Sequence, residues 1–228
     1  MISKRSLLAL AVGTGMTLAW NTQTFAAQPE ADNTPHPLGF FVTSVGLGHG
    51  GNLGGLAGAD AHCQALAASV GAGNRSWRAY LSTQGENAVN ARDRIGKGPW
   101  YNTEGLLMAS NVENLHYDNS NFNFEHILDE HGKHFDSRTD GDYDTTQHDI
   151  LTGTRIDGTA YPPGEDHTCH NWTSETDGSA TVGHADRYSF SSPGAPWNSS
   201  HGTPGCTPAA LVQVGGAGLL YCFAADAE

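Results

Sequence analysis

Positive charge is scarce in this chain: 11 Lys and Arg stand against 24 Asp and Glu over 228 residues, a formal net charge of −13. That balance excludes nucleic acid, heparin-like polyanions and anionic membrane surfaces as partners, because cationic side chains hold all three. Long apolar runs are also lacking. The main one, over 6–20, is about 15 residues and falls short of the roughly 20 that cross a bilayer as a helix. Complete catalytic motifs are missing too. There is no Gly-x-Ser-x-Gly elbow, no His-Glu-x-x-His and no Gly-Lys-Ser/Thr phosphate loop. Cysteine is limited to Cys63, Cys169, Cys206 and Cys222, an even set for which spacing allows three pairings. If all four are bridged, no thiol remains for catalysis.

The first residues read as an export signal. Lys4 and Arg5 precede the apolar run, and Thr24-Phe25-Ala26 offers small residues at the cleavage positions before Ala27. Residues 1–26 are therefore expected to be removed, with no integral membrane segment left and no cysteine placed for a lipid anchor. Their loss takes two basic residues and no acid, leaving 9 basic against 24 acidic side chains, a charge of −15. The expected location is exported: periplasmic, secreted or at the cell surface. Disulfides suit such a compartment.

Residues 27–38, with Pro29, Pro35 and Pro37, read as a flexible lead-in. The stretch 40–45 alternates like a strand. Glycines over 46–58 then feed a short alanine-rich helix, on which Ala59, Cys63, Leu66, Ala67 and Val70 share one face and Gly71 supplies the closing turn. Trp77, Ala79 and Leu81 alternate along a strand over 76–82, and 105–109 reads as another. A short turn or helix is expected within 90–100. From 116 to 148, five histidines and eight acids with few apolar residues read as an inserted polar excursion, with one helical turn over 126–134. Beyond it, 168–173, 210–214 and 219–223 are the strand candidates, and Gly215-Gly216 reads as a hairpin turn.

Several stretches together resemble a known family. Gly58-Ala59-Asp60-Ala61-His62-Cys63, Trp77-Arg78-Ala79-Tyr80-Leu81-Ser82, Val89-Asn90-Ala91-Arg92-Asp93, Cys169-His170-Asn171-Trp172-Thr173-Ser174 and Leu220-Tyr221-Cys222-Phe223 follow the order of landmarks in the endostatin (collagen NC10) domain and the wider C-type-lectin-like superfamily. The resemblance covers most of 40–224 but not the insertion 116–148. It implies an α+β fold with one main helix on short antiparallel strands, long loop regions and two disulfides, Cys63–Cys222 and Cys169–Cys206. On that reading, residues 39–228 form a single endostatin/C-type-lectin-like domain carrying the insertion.

Function does not travel with fold, and this sequence departs from its relatives at their sites. Asp93 matches the aspartate of the endostatin zinc site, but Phe40 stands at the strand position where that site has a histidine. The sugar-binding lectins' Glu-Pro-Asn or Gln-Pro-Asp loop is absent, and only Trp197-Asn198-Ser199 echoes their Trp-Asn-Asp. The superfamily's formylglycine-generating enzymes need reactive cysteines, which the two implied bridges would consume.

Two constellations carry candidate chemistry. If 125–134 is helical, Glu125, His126, Asp129, Glu130, His131 and His134 offer i+3 and i+4 pairs suited to zinc, while Asp140, Asp142 and Asp144 alternate like calcium-loop oxygens. The bland reading of both is a solvated acidic loop. The second constellation is His148-Asp149, Asp166-His167, His170 and His184-Ala185-Asp186-Arg187, with His201 beyond Trp197. Here His170, Trp172, Asp186, Arg187, Trp197, Asn198 and His201 are the ligand candidates, since aromatic platforms with polar rims hold sugar rings. The competing reading puts both tryptophans in the core. Asn74, Asn171 and Asn198 also begin glycosylation sequons.

The expected function is an exported, non-catalytic binding module for glycan or another extracellular or envelope ligand, acting through 165–206, with calcium or zinc as candidate cofactors. A structural or assembly protein that self-associates is the alternative, and a metal-dependent hydrolase the third.

Overall fold

The computed structural model describes residues 36–117, 121–136, 146–186 and 196–226. Residues 1–26, expected to be a signal, most of 27–38, expected to be a lead-in, and Asp140, Asp142, Asp144 and Arg187 lie outside the described residues. In chain order the elements are β1 (Phe40–Val42), α1 (Gly55–Ser69), β2 (Trp77–Ala79), a 3-10 turn (Ala91–Asp93), β3 (Trp100–Tyr101), β4 (Leu107–Ala109), α2 (Val112–Tyr117), β5 (Asp149–Leu151), α3 (Cys169–Trp172), β6 (Thr181–His184), β7 (His201–Gly202), α4 (Pro208–Gln213) and β8 (Gly216–Ala224).

Strand β8 is the axis. Its second half lies between β1 and β2, antiparallel to both, with Phe223 opposite Phe40 and Cys222 opposite Ala79. Its first half runs parallel to β5, and β5, β6 and β7 continue outward as antiparallel neighbours. β3 and β4 form a separate antiparallel pair. The architecture is thus mixed α/β with few helices and mainly antiparallel strands, and the β5–β8 pair is the exception. Those two strands are joined by a long crossover, which parallel pairing requires.

Because β8 is buried on both faces, it reads as a near-continuous apolar run. Leu219, Tyr221 and Phe223 point into one core with Phe40, Val42, Tyr80, Trp100, Phe122 and Trp197. Leu220, Cys222 and Ala224 point into a second with Phe41, Ala59, Cys63, Ala67, Trp77 and Trp172. Small side chains on the inner face of α1 let the helix lie close to β2 and β8, and the Cys63–Cys222 bridge joins them across a Cα separation of 5.6 Å. Gly71 takes φ 83° past the helix end, as the sequence predicts. The second bridge joins Cys169 and Cys206. Both pairings are those the resemblance implies.

Five expectations are corrected. The segment 168–173 is no strand: Cys169, His170, Asn171 and Trp172 have φ of 46°, 55°, 57° and 67°, so α3 is a single left-handed turn. The segment 210–214 belongs to α4, whose start is set by Thr207, with its hydroxyl accepting from the Ala210 amide, and by Pro208 in the first turn. Gly215-Gly216 therefore joins a helix to a strand rather than two strands. Finally, 126–134 forms turns rather than a helix, and the described part of the insertion is no solvated excursion. Phe122, Ile127, Leu128 and Phe135 are buried, and the Val42 amide donates to the Leu128 carbonyl at 2.9 Å. Phe122, Ile127 and Phe135 join the core on the face of β8 opposite α1.

Candidate metal centre and adjoining cleft

Among the described residues, strands β5, β6 and β7 gather a cluster of ionisable side chains. Asp149 opens β5 and stands directly opposite His184, the last residue of β6. His201 on β7 stands opposite Val182, two residues before His184 on the same face of β6. Gly183 between them is needed for close approach, since a Cβ there would lie 1.8 Å from the Trp197 carbonyl oxygen.

Three imidazoles converge on one carboxylate. His184 Nε2 lies 3.1 Å and His148 Nε2 3.2 Å from Asp149 Oδ1, while His201 Nε2 lies 3.3 Å from Oδ2. His184 Nε2 is also 2.9 Å from His201 Nε2 and 3.2 Å from Ser200 Oγ. The Asp149 side chain is fully buried and that of His201 is 38% exposed. Although the imidazoles are within ion-pair distance, neither Asp149 oxygen accepts a well-aligned hydrogen bond. Among the described residues, two groups place three ligand atoms within 4.8 Å of one another: Asp149, His184 and His201, and His148, His184 and Asp186.

His201 also lines an open cleft of about 570 Å³. Its walls are polar: Ser179, Thr181, Ser199, Ser200 and Thr203 supply hydroxyls, and Glu165 a carboxylate. Tyr161 stacks on His167 at one side, with centroids 3.7 Å apart and planes 17° from parallel. Such a wall offers hydrogen bonds to a hydrophilic ligand and little apolar area to a greasy one.

The other candidate residues fall elsewhere. Trp172 is fully buried and donates its indole N–H to the Ser82 carbonyl at 2.7 Å. Trp197 is 3% exposed, enclosed by Tyr80, Phe122 and Tyr221. Neither offers an exposed platform, because the two cores need their area. Asn198, 1% exposed, donates to the Tyr80 hydroxyl at 2.9 Å and to the Ile156 carbonyl at 3.1 Å. It is a core polar residue and no sequon acceptor. Asn171 is likewise engaged, its amide accepting from Gln84 N at 2.7 Å and donating to Gln84 O at 3.1 Å. His170 is exposed beside a smaller hollow of about 300 Å³. Asp186 is buried near His148 and His184.

The expected site at 125–134 is not gathered. Asp129 accepts from the His131 and Lys133 amides, and Glu130 from the amide and hydroxyl of Ser44. Glu125, His131 and His134 are exposed, with His134 stacked on Phe124, and His126 is half-buried. Asp93 is exposed and accepts from Asn90 at 2.7 Å. Without the helix, the i+3 and i+4 spacing loses its meaning. The sequence reading named His148, Asp149, His184 and His201 together, but it assigned metal to other histidines. Tyr161 and Glu165 it passed over. A strand period placing His184 beside Asp149 was the missing signal, and it depends on pairing that the sequence does not display.

Elsewhere in the core, a hydrogen-bonded chain is fixed in direction. His116 Nδ1 lies 2.7 Å from the Val112 carbonyl, which can only accept, so Nδ1 carries the proton. Nε2 then accepts from the Tyr80 hydroxyl at 2.7 Å, and Tyr80 accepts from Asn198. Burial pushes the Tyr80 hydroxyl far above its ordinary pKa, against the hydrogen bond from Asn198. Burial also lowers the pKa of His116, with the Val112 carbonyl opposing and the Arg92 charge assisting.

Comparison with protein-family models and with curated proteins returned no match.

Proposed function

We propose that this chain is an exported binding module of the endostatin/C-type-lectin-like kind, non-catalytic, which holds a glycan in the cleft formed by 161–167 and 199–204. The observation that carries the reading is the cleft itself, open, about 570 Å³ and lined by hydroxyls, imidazoles and one carboxylate. Volume and polarity suit one or two sugar rings better than an apolar ligand. Supporting it, most of the cleft's lining, from Glu165 to Pro204, falls in the stretch 165–206 expected to carry binding. The two disulfides and the absence of any described helix long and apolar enough to cross a membrane fit an exported protein.

A glycan array probed with the labelled mature chain tests this. The expected result is a restricted set of hits that Tyr161→Ala or Glu165→Gln abolishes while leaving the melting temperature within about 3 °C, as for surface substitutions. Absence of any hit, or hits indifferent to both substitutions, overturns it. Discrete oligomers at micromolar concentration without glycan would favour the assembly reading instead.

A further inference from the structure

We infer that Asp149, His184 and His201 bind one divalent transition-metal ion of the zinc class, with His148 positioning the carboxylate. Neither the glycan reading nor the endostatin zinc site, of which this chain matches only Asp93, contains these residues in that role. The inference also stands whether or not the cleft takes a sugar.

The first support is an unresolved charge. Asp149 is fully buried, and among the described residues no Lys or Arg pairs with it and the groups within ion-pair distance of it are imidazoles. A carboxylate in that setting is costly unless a cation or several aligned donors meet it, and its oxygens have no aligned donor. A doubly charged ion beside Asp149 removes the conflict.

Convergence is the second. Asp149 Oδ1, His184 Nε2 and His201 Nε2 are lone-pair atoms brought within about 3 Å of their neighbours. Each Nε2 has at most one proton to share, so hydrogen bonding alone cannot satisfy three such approaches at once. Ligands about 2.0–2.2 Å from a common ion stand at comparable separations from one another. Two imidazole nitrogens and one carboxylate oxygen are the donor set that suits zinc and ferrous iron, whereas calcium and magnesium favour all-oxygen sets.

Rigidity and access complete the argument. The three ligands come from three adjacent, hydrogen-bonded strands, so little ordering is left for the ion to impose. His148 Nε2 stands 3.2 Å from Asp149 Oδ1 outside the triad, placed to donate to the carboxylate once the ion has drawn it into line. His201 is the exposed member and lines the cleft, so an ion reaches the triad from the cleft side.

The test uses the mature chain without a histidine tag, stripped with a chelator. Zn2+ is titrated calorimetrically, and Co2+ is followed by its visible absorption. The expected result is one equivalent of Zn2+ at micromolar affinity or tighter, and a Co2+ spectrum of low coordination number. His201→Ala should weaken binding at least about 100-fold, and His148→Gln about 10–100-fold, the range for an outer partner. Asp149→Asn, nearly isosteric, should weaken it as His201→Ala does and serves if that variant does not fold. His131→Ala with His134→Ala should leave the affinity unchanged. Failure of the stripped wild type to bind either ion overturns the inference. So does tight binding by both His201→Ala and Asp149→Asn, or loss of binding in the His131/His134 variant.

Discussion

Asp60 joins three parts of the chain through one carboxylate. From α1 it accepts two bonds from Arg94 Nη2, at 2.9 and 2.7 Å, and one from the Ala79 amide of β2 at 3.0 Å. Both side chains of the pair are nearly buried, 10% and 13% exposed. Asp60→Ala leaves the guanidinium uncompensated and is expected to cost about 3 kcal/mol in urea unfolding. His116 makes stability depend on pH. Its folded pKa lies below the 6.5 it regains on unfolding. Just below 6.5 the unfolded chain therefore binds more protons, so this stabilisation is complete above 6.5 and is lost as pH falls toward the lowered value. Tyr80 faces the ring directly, and Arg92, Asp93 and Asp157 supply the nearby charges. His116→Gln, which still accepts from Tyr80 and does not titrate, should flatten the decline in unfolding free energy between about pH 7 and pH 5 relative to wild type. At this scale the sequence marked Asp60 as part of a landmark. Its partners, 19 and 34 residues on, were invisible.

The left-handed turn α3 shows what an element can hide. His170 and Asn171 are types that tolerate the left-handed region better than most, Cys169 and Trp172 are not, and each left-handed residue costs about 1–2 kcal/mol. External anchors hold it: the Cys169–Cys206 bridge, the buried Trp172 indole, the Asp166 carboxylate accepting from the Thr168 and His170 amides, and Asn171 clamped to Gln84. His170→Gly, at φ 55°, should raise stability by about 0.5–1 kcal/mol, the relief of strain less the entropy of an added glycine. His170→Val should lower it, and thermal melts of the pair decide the sign. Alternation and β-branching pointed to strand here because they register side-chain type, not the anchors. For α4 the local signal was present, Thr207 followed by Pro208, and the apolar run 210–214 obscured it.

At the scale of the molecule, the insertion matters most. Phe122 sits against Phe40, Trp197 and Phe223, with centroids 4.6, 4.7 and 6.1 Å away. It closes the face of the central sheet that α1 does not cover. Phe122→Ala should therefore cost about 3–5 kcal/mol by denaturant unfolding. A loop projecting into solvent would lose almost nothing. The few apolar residues of a polar stretch are easily discounted, yet Phe122, Ile127 and Phe135 do the work of a covering layer.

Sequence alone determined the scarcity of positive charge, the main helix with its buried cysteine face, the strands at 40–42, 77–79 and 219–223, and through the family resemblance the two bridges. Those features are local, periodic or carried by motifs, so they can be read without contacts. Only the tertiary structure decided that Trp172 and Trp197 are core, that the insertion covers the sheet, and that Asp149, His184 and His201 meet. The last depends on the register of β5, β6 and β7, which joins residues 35 and 17 positions apart in the chain. Register is set by the whole packed sheet and not by any stretch within it.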